Sequence, residues 1–130
     1  MNVKIDTKEK FTVITAKEHD ITANMTDDLA ELLLSYLSKE IPHIILNMKH
    51  VNSVSDEAAE MIAGLQHQFY EKSMSFIVCE LQNSVESSFT RKELLDTMNV
   101  TPTESEAWDI LQMEEIEREI MRDFDNSADG

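Results

Sequence analysis

Residues 43–69 read HIILNMKHVNSVSDEAAEMIAGLQHQF, and this stretch decides the fold. His43 to Met48 is a short run with apolar residues on both faces, which is typical of a central strand in a parallel sheet. After a polar loop, Ser55 is placed to cap a helix that ends near Lys72. The side of that helix predicted to face the sheet carries Ala59, Ile62, Leu65, Gln66 and Phe69. The stretch therefore predicts a strand that crosses over into a helix of an α/β domain.

The residues before this unit predict a hairpin and one helix. Val3–Ile5 and Phe11–Thr15 are rich in β-branched and apolar residues and flank a polar turn, which favours two paired strands. A helix is predicted from Thr26 until Pro42 ends the segment, with Thr26, Thr22 or Asn24 as its cap. Its apolar positions have helical spacing: Leu29, Leu32, Leu33, Tyr36 and Leu37.

The residues after the unit continue the alternation. Met74–Leu81 predicts a second buried strand, Ser84–Thr97 a third helix, and Val100 an edge strand. Thr103 and Glu106 have the spacing of a capping box, which predicts a last helix. We therefore expect an α/β fold: a single sheet of four to five strands, mostly parallel with an N-terminal hairpin, with helices packed against it and an extra C-terminal helix.

The last helix allows two interpretations. Its apolar residues have helical spacing and predict a narrow stripe that docks on the domain, although a stripe that binds a partner is the alternative. The stripe consists of Ala107, Trp108, Leu111, Met113, Ile116 and Ile120. The segment 104–130 also holds ten acidic residues against two arginines, and residues 125–130 offer nothing to bury, so we expect them to be disordered.

The amino-acid composition limits which classes of function are open to the protein. Hydrophobic residues make up 42% of the 130 residues and charged residues 28%, as in ordinary globular domains. The net charge of −15 disfavours binding to nucleic acid or to an anionic membrane. No apolar run approaches the roughly 20 residues that cross a bilayer, and the first residues lack the pattern of a signal peptide. We expect a cytoplasmic protein in which Cys79 is a buried thiol.

Residue patterns that support catalysis or cofactor binding are missing from the sequence. His19, His43, His50 and His67 lack the spacing of a metal site. Serines occur outside any Gly-x-Ser-x-Gly turn, and neither Gly64 nor Gly130 lies between a strand and a helix, where a phosphate loop needs glycine. We therefore predict no catalytic residue, no metal and no cofactor, and a protein that is not an enzyme.

The loop of residues 50–59 is the candidate site. It follows the carboxyl end of the central strand, where open α/β sheets carry their sites. Asp56 and Glu57 fall at the helix start, where acidic residues also stabilise the helix dipole by about 0.3–1 kcal/mol each without any further role. If the loop is functional, its partner-binding residues are Asn52, Ser53, Ser55, Asp56, Glu57 and Ala58.

At this loop the chain resembles the STAS domain, the fold of bacterial anti-sigma factor antagonists and of the cytoplasmic tails of sulfate transporters. The resemblance lies in strand 44–48 with helix 58–70, in strand 75–79 with Asn83-Ser84-Val85, and in the ending 102–107. It covers residues 1–112. It thus implies a STAS-like domain over 1–112, followed by an acidic helical extension and disordered tail over 113–130.

Members of that family that act as phosphorylation switches carry Asp-Ser-Ser-Gly at the start of the second helix, and the second serine is the phosphoacceptor. Without gaps, this motif falls on Ser55-Asp56-Glu57-Ala58, which places Glu57 at the phosphoacceptor position. A shift by one residue places Ala58 there instead. The resemblance therefore implies no phosphoacceptor at the family position. Other candidate acceptors are Ser53, Ser55, Ser84, Ser87 and Ser88.

The resemblance also implies an acidic residue near this loop before the first helix, for which Asp20 is the candidate and Thr22 the alternative. The implied function is a protein–protein interaction module that regulates transcription or signalling. Its partner would be an anti-sigma factor or a kinase-like regulator, and the module itself a monomer or weak homodimer. The alternative is a domain that senses a small ligand or nucleotide, which the absence of a basic residue beside Ser53–Glu57 in the sequence disfavours. An enzyme that uses the carboxylates near Asp56 is a third class without support in the spacing.

Overall fold

After an N-terminal hairpin, the chain alternates between strands and helices. The computed structural model describes residues 1–129, with side chains as far as Phe124. The strands are β1 (Val3–Thr7), β2 (Thr12–Ala16), β3 (Asp20–Ile21), β4 (Ile44–Asn47), β5 (Ser53–Val54), β6 (Phe76–Cys79) and β7 (Val100–Thr101). The helices are α1 (Thr26–Ser35), α2 (Asp56–Glu71), α3 (Asn83–Arg91) and α4 (Glu104–Asp129), with single 3-10 turns at Ala23–Met25, Tyr36–Ser38 and Leu95–Thr97.

Five strands form the main sheet, in the order β1-β2-β4-β6-β7. The hairpin strands β1 and β2 are antiparallel, and every other neighbouring pair is parallel. The predicted α/β class, the hairpin and the central place of β4 are confirmed. The sequence did not predict the second sheet, in which β3 and β5 pair in parallel and bring Asp20 opposite Ser53.

The two faces of the sheet are covered by different helices. Alternate strand residues, such as Leu46 and Ile45, point to opposite faces. Leu46 belongs to a large core under α1, α2 and α3, whereas Ile45 belongs to a smaller core that α4 covers with Ala107 and Leu111. Cys79 is buried in the smaller core, and burial raises the pKa of its thiol to about 12, so it is not a reactive nucleophile.

The start of α1 differs from the prediction. Within the described residues, the side chains of Thr22, Asn24 and Thr26 cap no helix. The chain instead enters α1 through a 3-10 turn, in which the Met25 amide donates to the Thr22 carbonyl at 3.0 Å. A turn of this kind satisfies part of the helix start with backbone alone.

Helix α4 begins as predicted and then departs from the predicted docking. The Glu106 amide donates to Thr103 Oγ1 at 3.2 Å, which is half of a capping box. Ala107 and Leu111 are buried, but Met113, Ile116 and Ile120 are exposed, so a continuous docking stripe was the wrong interpretation. The reason is that charged side chains occupy the docked face beyond Leu111.

The end of α4 also differs from expectation. Residues 125–130 were expected to be disordered, whereas the backbone is helical as far as Asp129, and Gly130 lies outside the described residues. An anchored helix can extend in this way because each added residue gains a hydrogen bond without a new nucleation step. Contacts between α4 and the domain continue past residue 112, since Tyr70 donates to Glu114.

Candidate protein-interaction site

The loop between β4 and α2 lies at the carboxyl edge of the parallel strands and is fixed by backbone hydrogen bonds. The amides of Asn52 and Ser53 both donate to the His19 carbonyl, at 2.6 and 3.2 Å, and the Ser55 amide donates to the Ile21 carbonyl at 2.8 Å. These bonds come from the segment around β3, which the sequence analysis left unassigned. The loop therefore holds one conformation beside the start of α2.

The serines of this region all have hydrogen-bond partners. Ser53 donates to Asp20 Oδ1 at 2.5 Å, and Ser84 donates to the Asn52 carbonyl at 2.6 Å. Ser55 Oγ accepts from the Ala58 amide at 3.1 Å and caps α2, as predicted. On α3, the hydroxyls of Ser87 and Ser88 donate to backbone carbonyls one turn earlier. Asp20 and Thr22 were the candidates for the acidic residue expected near this loop, and Asp20 is the one whose side chain bonds to it.

We expect Ser55→Ala to lower the free energy of unfolding by about 1 kcal/mol, because the first turn of α2 loses its side-chain cap. Urea denaturation followed by circular dichroism measures the change. Ser87→Ala on exposed α3 is the matched control and should change stability by less than about 0.5 kcal/mol. Equal losses in both variants would contradict a capping role.

Two basic residues at the end of α3 reach the start of α2. Arg91 lies 3.0 Å from Asp56 Oδ1, and Lys92 lies 3.6 Å from Asp56 Oδ2 and 3.2 Å from Glu60. Glu60 and Asp56 raise the pKa of Lys92. The sequence analysis found no basic residue beside the loop, and this was wrong. Arg91 lies 35 residues from Asp56 in sequence and approaches it only in the folded chain. Both cations nevertheless face carboxylates, so they do not form an open anion site.

The candidate residues differ in accessibility. Asn52, Ser53, Asp56 and Glu57 are exposed and Ser55 is half-buried. Ala58 is fully buried in the main core, so its side chain is not available to a partner and it leaves the candidate set. In the part of the chain that the structure describes, Glu57 takes part in no ion pair, unlike Asp56. Its carboxylate is therefore the unpaired negative charge of the α2 start.

Metal-ligand groups and membrane-spanning helices are both absent from the described residues. Among residues 1–129, no three His, Cys, Asp or Glu side chains are grouped as metal ligands. None of the helices described is both long enough and apolar enough to span a bilayer. A cleft of about 820 Å³ beside His43 lies at the opposite edge of the sheet, and it is lined by acidic and basic side chains together.

A mostly parallel five-stranded sheet with an N-terminal hairpin, and with a helix start exposed beside the central strand, defines the class of domain. The chain belongs to the STAS domain family, whose model matches residues 2–107. A comparison with curated proteins finds no match.

Solved structures with the same fold include anti-sigma factor antagonists and RsbS. An anti-sigma factor antagonist from Mycobacterium paratuberculosis superposes with a TM-score of 0.72 at 14% identity, covering 85% of this chain and 93% of its own. RsbS from Moorella thermoacetica, in a variant with serine replaced by glutamate, gives 0.70 at 15% identity, covering 86% and 96%. The unphosphorylated anti-sigma factor antagonist SpoIIAA gives 0.68 at 14% identity, covering 85% and 96%. At these identities the likeness concerns the fold.

Proposed function

We propose that this protein is an interaction module of the anti-sigma factor antagonist type, which regulates transcription or signalling in the cytoplasm by binding a protein partner. The partner is an anti-sigma factor or a kinase-like regulator, and it docks on the start of α2. The observation that carries the proposal is the exposed Glu57 carboxylate, which has no ion-pair partner among the described residues. The fold and family support a binding role rather than catalysis.

The physical basis of the proposal is a permanent charge at the switch position. A phosphoserine carries about −1.5 to −2 charges, enough to repel or recruit a partner at a helix start. Glu57 carries one negative charge that no kinase or phosphatase removes. Because Arg91 and Lys92 already face Asp56, Glu57 is the carboxylate in the first turn of α2 that stays free to act on a partner. The module therefore acts constitutively, in a state that resembles a partly phosphorylated relative.

The docking surface consists of Asn52, Ser53, Asp56 and Glu57, with Ser55 at its edge. The backbone bonds to His19 and Ile21 keep this surface in one shape, which limits the entropy lost on binding. The domain binds as a monomer or weak homodimer. Nucleotide sensing at the start of α2 is disfavoured, because Arg91 and Lys92, the cations that reach this helix start, already face Asp56 and Glu60.

The test is an affinity purification from the native host with wild type, Glu57→Lys and Glu57→Ser side by side. We expect Glu57→Lys to lower recovery of the specific partner by about tenfold, which corresponds to about 1.4 kcal/mol. Glu57→Ser should also change this recovery. Because Glu57 is exposed, both variants should fold like wild type. Quantitative mass spectrometry of the bound proteins gives the ratio.

Glu9→Lys is the matched control for this experiment. Glu9 is exposed in the turn between β1 and β2, at the opposite edge of the sheet, and its reversal makes the same change in net charge. Loss of the partner from both lysine variants would indicate a general charge effect. Full recovery with Glu57→Lys and Glu57→Ser would rule out the α2 start as the docking surface.

A further inference from the structure

Helix α4 beyond Leu111 is docked by its charged side, and its apolar side faces solvent. Glu115 and Arg118 have only 18% of their side chains exposed. In the same two turns, Ile116 is 55% exposed and Ile120 60%. Amphipathic helices of globular domains have the opposite arrangement, with the apolar stripe toward the core.

A polar cluster fixes the helix in this orientation. Ser75 and Tyr70 donate to Glu114 Oε1 at 2.6 and 2.9 Å. Glu115 Oε2 accepts from Arg118 Nη2 at 2.9 Å and lies 3.1 Å from His43 Nε2. These partners come from α2 and from the residues before β4 and β6, so the helix cannot rotate to bury its apolar side without breaking several of these contacts.

The exposed apolar residues of this segment are here called the outer stripe: Met113, Ile116, Ile120, Met121 and Phe124. Successive members are separated by one, three or four residues, which places them on one side of the helix along about 16 Å. Their exposed fractions run from 55% to 69%, whereas the next most exposed large apolar residue, Ile5, reaches 46%. An apolar patch of this kind marks a binding surface in soluble domains.

The charges beside the outer stripe determine what fits it. Asp109, Glu117 and Asp123 are exposed and share the outer side of the helix by their spacing from Met113 and Ile120. The arginines of this segment, Arg118 and Arg122, are directed to Glu115 on the docked side. An apolar stripe with carboxylates among and beside its members complements a helix that is apolar on one side and carries basic residues around that side. A second copy would instead bring carboxylates against carboxylates.

We propose that the outer stripe binds a basic amphipathic helix of a partner protein, with apolar side chains on the stripe and Lys or Arg against the carboxylates. This surface is separate from the α2 start, because α4 and α2 cover opposite faces of the sheet. The domain thus carries two docking surfaces and can hold two proteins at once, and the second binding activity does not depend on Glu57.

The test uses the full chain and a labelled helical peptide of about 18 residues, with leucines at helical spacing and lysines elsewhere. Fluorescence anisotropy should give saturable binding that weakens with added salt. The variant with both Ile116→Gln and Ile120→Gln should bind at least about tenfold more weakly, although its net charge is unchanged. A peptide with glutamates in place of the lysines should not bind.

Leu34→Gln is the control, since Leu34 is an exposed leucine on α1 away from the stripe, and it should bind like wild type. Circular dichroism checks that each variant is folded. Equal peptide affinity of wild type and the double glutamine variant would overturn the proposal. Binding would then come from the attraction of the lysines to the acidic protein as a whole and not from the outer stripe. A dimer in sedimentation velocity that the double variant loses would also overturn it, in favour of a second copy on the stripe.

Discussion

Phe69→Ala should lower the free energy of unfolding by about 3–5 kcal/mol. Phe69 is fully buried on α2, and its ring meets that of Phe76 edge to face, with centroids 5.2 Å apart and an angle of 72°. Removing the ring leaves a cavity under the centre of the sheet and loses an aromatic pair that contributes about 0.5–1.5 kcal/mol beyond its buried area. Since domains are stable by only about 5–15 kcal/mol, this is a large share of the total.

Phe124→Ala is the matched control, because it removes the same ring from a side chain that is 69% exposed. We expect its unfolding free energy to change by less than about 0.5 kcal/mol in urea titrations followed by circular dichroism. Phe124→Ala should nevertheless weaken binding of the basic peptide, since Phe124 belongs to the outer stripe. A loss of stability similar to that of Phe69→Ala would contradict the structure, as it would mean that Phe124 is buried in solution.

The sequence predicted the central part of the fold because its signals there are local and strong. Strand β4 is an uninterrupted apolar run, and α2 repeats apolar residues with helical period over sixteen residues. Ser55 could be assigned as the cap because a serine stood directly before that period. The location of the candidate site followed from the same two elements, since a loop after a central strand must reach the carboxyl edge of the sheet.

What the sequence could not predict depends on residues that meet only in the folded chain. Strands β3 and β5 have two residues each, too few to show any period. Their pairing nevertheless positions Ser53 against Asp20. The pairing of Arg91 with Asp56 joins the end of one helix to the start of another, and no spacing rule connects them.

Helix α4 shows a third kind of limit. Its period was identified correctly, but a period defines a stripe without saying which side of the helix docks. Beyond Leu111, the side of α4 that docks is the one that carries an acceptor for buried donors. The main donors are the hydroxyls of Tyr70 and Ser75, which both bond to Glu114. Those hydroxyls are provided by α2 and by the residue before β6, so the sequence of α4 alone holds no record of them.

Glu114→Ala should therefore lower the free energy of unfolding by about 2–3 kcal/mol, although residue 114 lies beyond the match to the family. The Ser75 hydroxyl is fully buried and would lose its acceptor, and Tyr70 would lose two contacts of 2.9 and 3.0 Å. Burial, followed by the charge of Glu114, raises the pKa of Tyr70, so its hydroxyl stays protonated and needs an acceptor throughout the neutral range. Asn99 also donates to Tyr70, at 2.6 Å, and ties β7 to the same cluster.

Glu117→Ala makes the same chemical change at an exposed position of the same helix and should shift stability by less than about 0.5 kcal/mol. Glu114→Gln keeps an acceptor and should fall between wild type and alanine, which separates lost hydrogen bonds from lost charge. If Glu114→Ala unfolds at the same urea concentration as Glu117→Ala, α4 beyond Leu111 is not part of the cooperative unit. The outer stripe would then be free to rotate inward, and its orientation toward a partner would have no structural cause.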